Sequence, residues 1–541
     1  MKIVVADDMP ADALLPLSER GWDVVATSGQ STDTLLAALA DADALIVRSA
    51  TKVTAALLEA GPHLRIVARA GTGVDTIDVP AATARGVLVV NAPGANSVSV
   101  AELAMAMMLS LARHTPAADR TMKEGKWEKK AFAGIELRGK TLGLVGFGRI
   151  GQEVARRAQA FEMRVVAHDP FLAIEVAQES GVELVSLDDL CRRAEWISLH
   201  LPSTPATRHI FGRERIQACR KGVRIINTAR GELVDADALA DAIEAGHVAG
   251  AGIDVFETEP PTDNRLQTLP QVVAAPHLGA STREGQQAAA VDTVAAVEAF
   301  LARGDVQNAV NLASPSKSVA ATLQPYVALA ERLGRLGGQL ASGRIASMGV
   351  RTYGEVADSP HPIVATAAVS GLLSSILSEG VSVVNARQLA ADRRIEIAET
   401  VSQRPRRFVG VVSLQVHTVD EKGVAATRWL EGVVAHGRDP RLVLVDGIDV
   451  DAPLDGTVLV ICNDDRPGVV GGVGTVLGDH GINIASLSLG RKDGVAVAIA
   501  ALDIDEEDPA AVRNADPDME ALERALRAVP AVKDVWIARL S

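Results

Sequence analysis

The stretch ELRGKTLGLVGFGRIGQEVARRAQAFEMRVVAHDP, residues 136–170, decides the fold of the middle of the chain. Within it, Thr141–Val145 is an apolar run suited to a buried strand. Three glycines in a G-x-G-x-x-G pattern follow this run: Gly146, Gly148 and Gly151. A helix-like segment comes next, and a second apolar run, Arg164–Ala167, leads to Asp169. Strand, glycine-rich turn, helix and strand in this order predict the βαβ unit that binds a dinucleotide.

The three glycines and the acid have separate physical roles in such a unit. Gly146 permits the tight turn, Gly148 lets the backbone approach a pyrophosphate, and Gly151 lets the helix pack closely on the strand. The amino end of the helix offers free N–H groups and a partial positive charge to the phosphates. A carboxylate at Asp169 can accept both ribose hydroxyls and would repel a 2′-phosphate, so NAD is favoured over NADP. The alternative is a glycine-rich turn in an α/β protein without this cofactor.

Length and composition bound the class of protein. A chain of 541 residues is too long for one core, so we expect three or four domains. The formal net charge of −14 argues against general nucleic-acid binding. Cys191, Cys219 and Cys462 have no metal-ligand spacing and are expected to be buried reduced thiols, which suits the cytoplasm. The sequence begins like a first strand rather than a signal peptide and has no long uninterrupted apolar run, so we expect no membrane span.

Short β-type runs alternate with helix-like segments in the first part of the chain, which predicts a parallel sheet with helices on both faces. These runs are Lys2–Ala6, Trp22–Ala26, Ala44–Val47, Ile66–Ala68 and Leu88–Val90. Ser97–Arg113 follows Asn96, a good helix N-cap, and should be a buried helix that packs on the next domain. The second sheet continues after the βαβ unit with Trp196–Leu199, Arg224–Asn227, Gly250–Val255 and Val272–Ala275.

The remaining residues complete the predicted domain organisation. Glu284–Leu301 has a helix pattern, after which the chain returns to the first domain, and Ala313–Ser318 is typical of a polar linker. The segment from Thr457 has the β-α-β-β-α-β order of a small ferredoxin-like domain. The predicted domains are residues 1–96 with 285–312, residues 97–284, residues 313–452 and residues 456–541.

Three residues that can carry chemistry lie on three loops after predicted strands: Arg230 in NTARGE, Glu259 in DVFETEP and His277 in PHLGAST. Hydride transfer from an alcohol needs a base for the hydroxyl proton, and a neutral imidazole suits this near pH 7. A nearby carboxylate fixes the tautomer of that imidazole, and a guanidinium can hold a substrate carboxylate in a bidentate fork. Spacing alone does not exclude structural roles for these residues. Arg230 could form a surface ion pair, Glu259 could be a helix-start carboxylate, and His277 could be a satisfied core histidine.

Several segments in this order, GFGRIG, HDP, NTARG, DVFETEPP and PHLGAST, resemble the D-isomer-specific 2-hydroxyacid dehydrogenase family. VRSATKVTAALLE, RAGTGVDTID and NAPGANSVSVAELAMAMML are similar to the substrate domain of that family. The resemblance covers about residues 1–312. It implies two Rossmann-like, doubly wound parallel-sheet domains, one for substrate and one for NAD. It also implies that Arg230, Glu259 and His277 are the catalytic residues.

The same resemblance implies a set of binding residues. Those expected at the cofactor are Gly146, Gly148, Arg149, Ile150 and Gly151 at the pyrophosphate, Asp169 at the ribose, and Pro202, Thr207, Thr228, Asp254, Gly279 and Ala280 at the nicotinamide side. Those expected at the substrate are the backbone of Ala70, Gly71, Thr72 and Gly73, together with Arg48, Ser49 and Asn96.

The tail is similar to that of the long form of this family, which adds an α+β intervening domain and a C-terminal ferredoxin-like ACT domain. The segment ICNDDRPGVVGGVGTVLGDHGINIASLSLGR resembles the opening of an ACT domain. The resemblance of the whole chain to this long form implies NAD-dependent oxidation of 3-phosphoglycerate to 3-phosphohydroxypyruvate, the step that opens L-serine biosynthesis. L-serine is the expected effector at Asn463, Asp465 and Asn483, and a homodimer or homotetramer is expected.

Other interpretations remain open from the sequence. The substrate could be another D-2-hydroxy acid of the hydroxypyruvate or glyoxylate type, or the chain could be a non-catalytic NADH-sensing protein of the corepressor type. A substrate phosphate needs cations, for which Arg48 and the pair Lys129 and Lys130 are candidates, although the lysines suit a solvated face equally well. Three arginines near His436, namely Arg428, Arg438 and Arg441, predict an anion site or surface charge, and surface charge is favoured.

Overall fold

A computed structural model describes residues 1–262, 264–313, 317–358, 361–377, 380–404, 406–420, 422–503 and 519–540. Residues 314–316 of the predicted linker lie outside the described residues. Four sheets, of five, seven, six and four strands, organise the described part of the chain. Within these residues, no helix has the length and apolar character needed to cross a membrane.

The first sheet is fully parallel and has the strand order β2-β1-β3-β4-β5. Its strands are β1 (Lys2–Val5), β2 (Asp23–Ala26), β3 (Ala44–Val47), β4 (Ile66–Arg69) and β5 (Leu88–Asn91). Its helices are α1 (Ala11–Glu19), α2 (Thr32–Leu39), α3 (Ala55–Glu59) and α4 (Val79–Ala84). The apolar runs place side chains on both faces of the sheet, where separate buried clusters form, as expected for a parallel sheet covered by helices.

The second sheet contains the glycine-rich turn and has the order β12-β11-β10-β9-β6-β7-β8, parallel throughout. Its strands are β6 (Thr141–Val145), β7 (Arg164–His168), β8 (Glu183–Leu184), β9 (Trp196–Leu199), β10 (Val223–Asn227), β11 (Val248–Ile253) and β12 (Val272–Ala274). The helices of this region are α5 (Ser97–Arg113), α6 (Thr115–Lys123), α7 (Arg149–Ala160), α8 (Ile174–Glu179), α9 (Leu187–Arg193), α10 (Arg213–Ala218) and α11 (Ala236–Glu244). Short 3₁₀ helices span Lys129–Phe132, Gly231–Leu233 and Arg265–Thr268.

The long helix α5 connects the two sheets. It spans the predicted residues, and its apolar side chains pack in the second domain against α7 and the strands beneath it. Asn96 is at the N-cap position, as predicted, but its side chain makes no capping hydrogen bond. The Asn96 Oδ1 instead accepts a hydrogen bond from the Thr72 hydroxyl at 2.8 Å. A tertiary partner has therefore taken the side chain that local propensity assigns to the helix end.

The chain returns to the first sheet through α12 (Arg283–Arg303). Val294, Val297 and Leu301 of this helix are buried with strands β1 and β4 in one apolar cluster. Asn311 then fixes the return, because its Oδ1 accepts from the Val89 N–H at 2.9 Å and its Nδ2 donates to the Val87 carbonyl at 2.9 Å. The first sheet is therefore completed by a segment that lies about 200 residues later in the chain, α12 and the residues up to Asn311.

The third sheet is mixed and has the order β14-β13-β15-β16-β17-β18. Its strands are β13 (Arg344–Gly354), β14 (Glu396–Ser402), β15 (Gly410–Val419), β16 (Ala425–Ala435), β17 (Asp439–Val445) and β18 (Ile448–Pro453). The helices are α13 (Lys317–Leu340), α14 (Glu355–Asp358), α15 (Pro362–Ser374) and α16 (Ala386–Asp392). This part of the chain is α+β, with α13 and α15 packed on one face of the sheet.

The fourth sheet has the predicted β-α-β-β-α-β order and the strand order β20-β21-β19-β22, which is ferredoxin-like. Its elements are β19 (Thr457–Asp464), α17 (Val469–Asp479), β20 (Asn483–Lys492), β21 (Val495–Asp503), α18 (Met519–Arg527) and β22 (Val532–Arg539). Helices α17 and α18 pack on one face of this sheet, and the other face shares an apolar cluster with the third sheet. The third and fourth sheets therefore form one continuous core.

Helices α13 and α15 cross so closely that two glycines are required at the crossing. A Cβ added at Gly371 would lie 1.9 Å from the Glu331 carbonyl oxygen, and one added at Gly334 would lie 2.0 Å from the Ala368 carbonyl oxygen. Neither backbone atom can give way as a flexible side chain could, so any larger residue forces the helices apart.

We expect Gly371→Ala to lower the free energy of unfolding of this core by about 1–3 kcal/mol, the usual cost of overpacking. Gly478→Ala is the matched control, because Gly478 is also helical but has open space at its Cβ position. Urea unfolding of the full chain, followed by tryptophan fluorescence, measures both variants. Equal midpoints for the two variants would contradict the close crossing.

Candidate active site

The carboxyl ends of the first and second sheets carry loops that meet across a cleft. Two arginines of the second domain cross it: Arg149 Nη1 donates to the Pro93 carbonyl, and Arg230 Nη2 lies 2.9 Å from Asp75 Oδ2. In open parallel sheets, ligands bind beyond the carboxyl ends of the strands. The cleft is therefore the place to look for a site.

The glycine-rich turn has the backbone that a dinucleotide needs. Gly146 has a φ of +93°, and a Cβ there would lie 2.4 Å from the His200 carbonyl oxygen. A Cβ on Gly151 would lie 2.4 Å from the Gly146 carbonyl oxygen, which explains the close helix packing. A Cβ on Gly148 would meet no atom within 4 Å, so this position opens onto space at the amino end of α7. The turn thus fits a bound pyrophosphate.

Asp169 lies just beyond β7 and is tied to the glycine-rich turn. Its Oδ2 accepts from the Phe147 N–H at 3.0 Å, and its Oδ1 accepts from the Phe171 N–H at 3.0 Å. Each carboxylate oxygen has a second lone pair for a ribose hydroxyl. Ile150 is half-buried at the start of α7. These contacts hold the acid at the end of the strand where the sequence predicted a ribose.

The predicted nicotinamide residues follow β9, β10, β11 and β12. Thr207 Oγ1 donates to the Pro202 carbonyl at 2.7 Å, which closes the loop after β9. The buried Thr228 hydroxyl has no hydrogen-bond partner among the described residues. Such a hydroxyl is costly unless something pairs with it, and a carboxamide of a bound cofactor would do so. Gly279 is buried beside Asp254, and Ala280 is exposed.

A fully buried carboxylate, Asp254, organises the loop that carries His277. Its Oδ1 accepts from the Leu278 N–H at 2.7 Å and its Oδ2 from the Gly279 N–H at 2.8 Å. The His277 N–H donates to the Asp254 carbonyl at 2.8 Å. Burial raises the pKa of the Asp254 carboxyl, while its two backbone N–H partners oppose that rise.

His277 and Glu259 are paired. His277 Nδ1 lies 2.7 Å from Glu259 Oε2, and Glu259 Oε1 accepts from the Phe256 N–H at 3.0 Å. The His277 backbone has a φ of +54°, a left-handed turn that several backbone bonds of this loop hold. Because Nδ1 faces the carboxylate, the imidazole can keep its proton there and leave Nε2 free to accept another. About half of the His277 side chain is exposed, so a ligand can reach it.

Arg230 stands on the neighbouring loop after β10. The loop turn is fixed by Asn227, whose Nδ2 donates to the Arg230 carbonyl at 2.8 Å and whose Oδ1 accepts from the Ala229 N–H at 3.1 Å. A Cβ on Gly231 would overlap the backbone of Phe256, so the loops carrying Arg230 and Glu259 touch. The structure therefore brings the three sequence-predicted catalytic residues onto adjoining loops.

The predicted substrate loop, residues 70–73, lies in the first domain after β4. Asn91 Nδ2 donates to the Thr72 carbonyl at 2.5 Å, and the Thr72 hydroxyl donates to Asn96. A Cβ on Gly73 would clash with the Arg230 guanidinium, so this loop contacts the guanidinium directly and a larger residue here would displace it. Ala70 and Gly71 lead into this loop, and Arg48 and Ser49 directly follow the neighbouring strand β3.

Sequence reasoning missed Arg69, which supports this loop from below. Its Nη1 donates to the Gly73 carbonyl and its Nε donates to the Arg48 carbonyl at 3.0 Å. Burial lowers the pKa of this guanidinium, and Asp75 opposes that effect. A charged residue at the last position of the buried strand IVAR was the signal in the sequence.

The other basic residues that the sequence suggested as anion-binding lie away from the cleft. Lys129 and Lys130 are exposed, a few residues before Gly134, which packs at the carboxyl end of α5, away from Asn96. Arg428 pairs with Asp446 at 2.7 Å, Arg441 pairs with Asp451 at 2.6 Å, and Arg438 lies 3.8 Å from Asp439. Each arginine near His436 thus has its own acid.

The predicted effector residues lie at the ends of β19 and β20. Asn463 is buried, its Nδ2 donates to the Asp464 carbonyl at 2.7 Å, and its Oδ1 has no partner among the described residues. Asp465 lies 3.5 Å from Arg491 Nε, and Asn483 is exposed at the start of β20. Asn463 and Asp465 therefore lie together at one end of the fourth sheet, where an amino acid would find an acceptor in Asp465 and an amide in Asn463. Asn483 pairs with Asp503 and lies at the opposite end of the same sheet, so the chain does not bring it to the other two.

Comparisons with known protein families agree with this architecture. Residues 105–279 match the D-isomer specific 2-hydroxyacid dehydrogenase, NAD binding domain. Residues 322–446 match the D-3-phosphoglycerate dehydrogenase intervening domain, and residues 457–529 match the ACT domain. The chain therefore has an NAD-binding domain, an intervening domain and an ACT domain, as the sequence predicted.

Solved structures resemble the first part of the chain. The NAD-dependent formate dehydrogenase of Staphylococcus aureus, in complex with NAD, is 30% identical with a TM-score of 0.52, covering 58% of this chain and 100% of its own. D-Lactate dehydrogenase of Aquifex aeolicus, complexed with NAD and lactic acid, is 31% identical with a TM-score of 0.50, covering 56% of this chain and 96% of its own.

Curated relatives match the full length. D-3-phosphoglycerate dehydrogenase of Methanocaldococcus jannaschii is 41% identical over 100% of both chains. That of Mycobacterium tuberculosis is 42% identical over 95% of this chain and 96% of its own, and that of Synechocystis is 38% identical over 100% and 95%. The chain belongs to the D-3-phosphoglycerate dehydrogenase family, within the D-isomer specific 2-hydroxyacid dehydrogenases.

Proposed function

We propose that this chain oxidises 3-phospho-D-glycerate to 3-phosphohydroxypyruvate with NAD, the first step of L-serine biosynthesis. The observation that carries the proposal is the 2.7 Å contact between His277 Nδ1 and Glu259 Oε2, in a cleft between an NAD-type sheet and an arginine-supported loop. The full-length identity to curated relatives with this activity supports the choice of substrate.

His277 acts as the base in the proposed mechanism. With Nδ1 held by Glu259, His277 takes the C2 hydroxyl proton at Nε2. Glu259 balances the positive charge that then forms on the imidazole. NAD, when bound, accepts the hydride from C2. In the reverse direction, protonated His277 gives its proton to the carbonyl oxygen.

The cationic residues hold the two anionic ends of the substrate. Arg230 binds the carboxylate in a bidentate fork, together with backbone N–H groups of residues 70–73. Arg48 and the missed Arg69 supply positive charge for the phosphate, because both belong to the cluster under the substrate loop. Ser49 and Asn96 complete the polar wall on the first domain.

The cofactor residues divide between the two ends of NAD. Gly146, Gly148, Arg149, Ile150 and Gly151 hold the pyrophosphate, and Asp169 holds the ribose. The nicotinamide side is formed by Pro202, Thr207, Thr228, Asp254, Gly279 and Ala280. The open position at Gly148 and the unpartnered Thr228 hydroxyl support this division.

The ACT domain is the proposed regulatory part. ACT domains suggest an amino-acid effector, and we propose L-serine at Asn463, Asp465 and Asn483, with Asn483 supplied by a second copy of the chain because it lies at the opposite end of the sheet. The buried, unpartnered Asn463 Oδ1 supports a polar ligand at the end of the fourth sheet that carries Asn463 and Asp465. A homodimer or homotetramer remains a prediction.

Replacing His277 with asparagine should lower kcat by about 10²–10⁴-fold, the usual worth of a general base, while NADH binding stays unchanged. NADH formation at alkaline pH and fluorescence titration with NADH measure the two quantities. His63→Asn, on an exposed histidine of the first domain, is the control. A His277 variant that keeps more than about a tenth of the wild-type rate would rule out the assigned role.

Asp169→Ala should reduce the preference for NAD over NADP at least about tenfold in kcat/KM, because the carboxylate no longer binds the ribose or repels a 2′-phosphate. Asp188→Ala removes an exposed acid of the same domain and should leave the ratio unchanged. Steady-state rates with both cofactors provide the measurement. An unchanged ratio in the Asp169 variant would assign the ribose to another residue.

L-Serine should lower the rate of 3-phosphoglycerate oxidation, and Asp465→Ala should abolish that inhibition with the basal rate retained, because the ammonium loses its acceptor. Asp479→Ala, on an exposed acid of α17, is the control. If serine has no effect on the wild type, the effector assignment fails while the catalytic proposal stands. If neither direction of the reaction is catalysed but NADH binds, a panel of D-2-hydroxy acids replaces 3-phosphoglycerate as the test.

A further inference from the structure

An acidic side chain of the first domain, Asp75, occupies the guanidinium that we assign to the substrate carboxylate. Its Oδ2 lies 2.9 Å from Arg230 Nη2, across the cleft between the two domains. The other terminal nitrogen of Arg230, Nη1, donates to the Ala229 carbonyl at 2.7 Å. A carboxylate on the chain therefore makes the contact that a substrate carboxylate would need.

The charges around this contact are unequal in their freedom to move. Asp7 is buried and accepts from the Arg48 N–H at 2.6 Å and the Thr51 hydroxyl at 2.6 Å, so it is fixed. The Asp75 side chain is 66% exposed, and that of Arg230 is 29% exposed. Asp75 can therefore swing into solvent, whereas the anchored acid cannot.

The cluster is also chemically matched to an anion. Arg48, Arg69 and Arg230 contribute three positive charges around the substrate loop. The charge of Asp75 counteracts the lowering of the Arg69 pKa that burial causes. The proposed substrate has a carboxylate and a phosphate, and a phosphate monoester alone carries roughly −1.5 to −2 near pH 7. Asp75 both takes a hydrogen-bonding position of that anion and repels it.

We propose that Asp75 is an internal competitor for the substrate carboxylate, which sets substrate affinity by occupying Arg230 until the substrate displaces it. This inference rests on the proposed function, because it takes Arg230 as the carboxylate-binding residue. Asp75 is a positioning residue in this role. It acts through Arg230 and takes no part in the proton transfer.

The consequence is a separation between KM and kcat. An exposed ion pair of this type is worth at most about a fivefold effect, and removing a like charge from the site adds to it. Asp75→Asn should therefore lower KM for 3-phosphoglycerate about threefold to tenfold. The kcat value should not rise, because the lost competition affects the bound substrate and the transition state alike.

The direct test is equilibrium binding. 3-Phosphoglycerate is titrated into the full-length enzyme saturated with NADH, where no oxidation can occur, and bound-NADH fluorescence or calorimetry gives Kd. Asp75→Asn and Asp75→Ala should both bind about threefold to tenfold more tightly than the wild type. Asp41→Asn is the matched control, because Asp41 is an ion-paired acid of the same domain, with Lys2 as its partner.

The role of Arg230 is tested in the same titration. In the Arg230→Gln background, the gain from Asp75→Asn should be clearly smaller than in the wild-type background, since no guanidinium remains to compete for and only the like-charge repulsion is removed. Weaker or unchanged binding in both Asp75 variants would overturn the proposal, as would a gain of undiminished size in the Arg230→Gln background. Wild-type enzyme that neither binds nor oxidises 3-phosphoglycerate would instead overturn the proposed function, which keeps the two failures apart.

Discussion

The buried carboxylate of Asp254 is the constraint on which the catalytic loops depend. Its own N–H donates to the Asn227 carbonyl, its carbonyl accepts from His277, and its two carboxylate oxygens accept from Leu278 and Gly279. Three loops after three neighbouring strands are thereby joined at one fully buried residue. A buried charge is tolerated only when it is hydrogen-bonded, so these bonds and the burial require each other. The left-handed backbone of His277 and its pairing with Glu259 follow from the loop path that Asp254 fixes.

The cleft combines two demands that a single sheet could not meet. The second sheet supplies an anion-binding turn and a paired imidazole, whereas the first sheet supplies a loop lined with arginine. The domains meet where Gly73 lies against the Arg230 guanidinium, and a Cβ at this position would displace that guanidinium. Arg149 and Arg230 reach across to Pro93 and Asp75, so the side chains assigned to ligand are also contacts between the domains. Ligand binding and domain approach therefore use the same two side chains.

The sequence predicted the elements whose reasons are local. Strand β6, its glycines and helix α5 were placed correctly because apolar periodicity and turn chemistry act over a few residues. The residues that it misjudged or missed depend on distant partners. The Asn96 side chain bonds to Thr72 and does not cap the helix, and Arg69 donates to the carbonyl of Gly73. Asp75 pairs with the Arg230 guanidinium of the other domain. The tail behaves likewise, because no local pattern indicates that the third and fourth sheets share one apolar cluster.

That shared core gives the ACT domain a packed connection to the catalytic part. Gln339 of α13 donates to the Arg539 carbonyl and accepts from the Arg539 N–H, both at 2.9 Å, as a neighbouring strand would. At the other end, Ser382 Oγ donates to the Gly86 carbonyl at 2.8 Å, at the turn before β5. Coupling between distant sites needs an element with two arrangements that both sites bias. The connection ends at the amino end of β5, away from the cleft, so coupling from the ACT domain to the cleft would require a movement of the first sheet. The contacts across the cleft, Asp75 with Arg230 and Pro93 with Arg149, are the ones that such a movement would change.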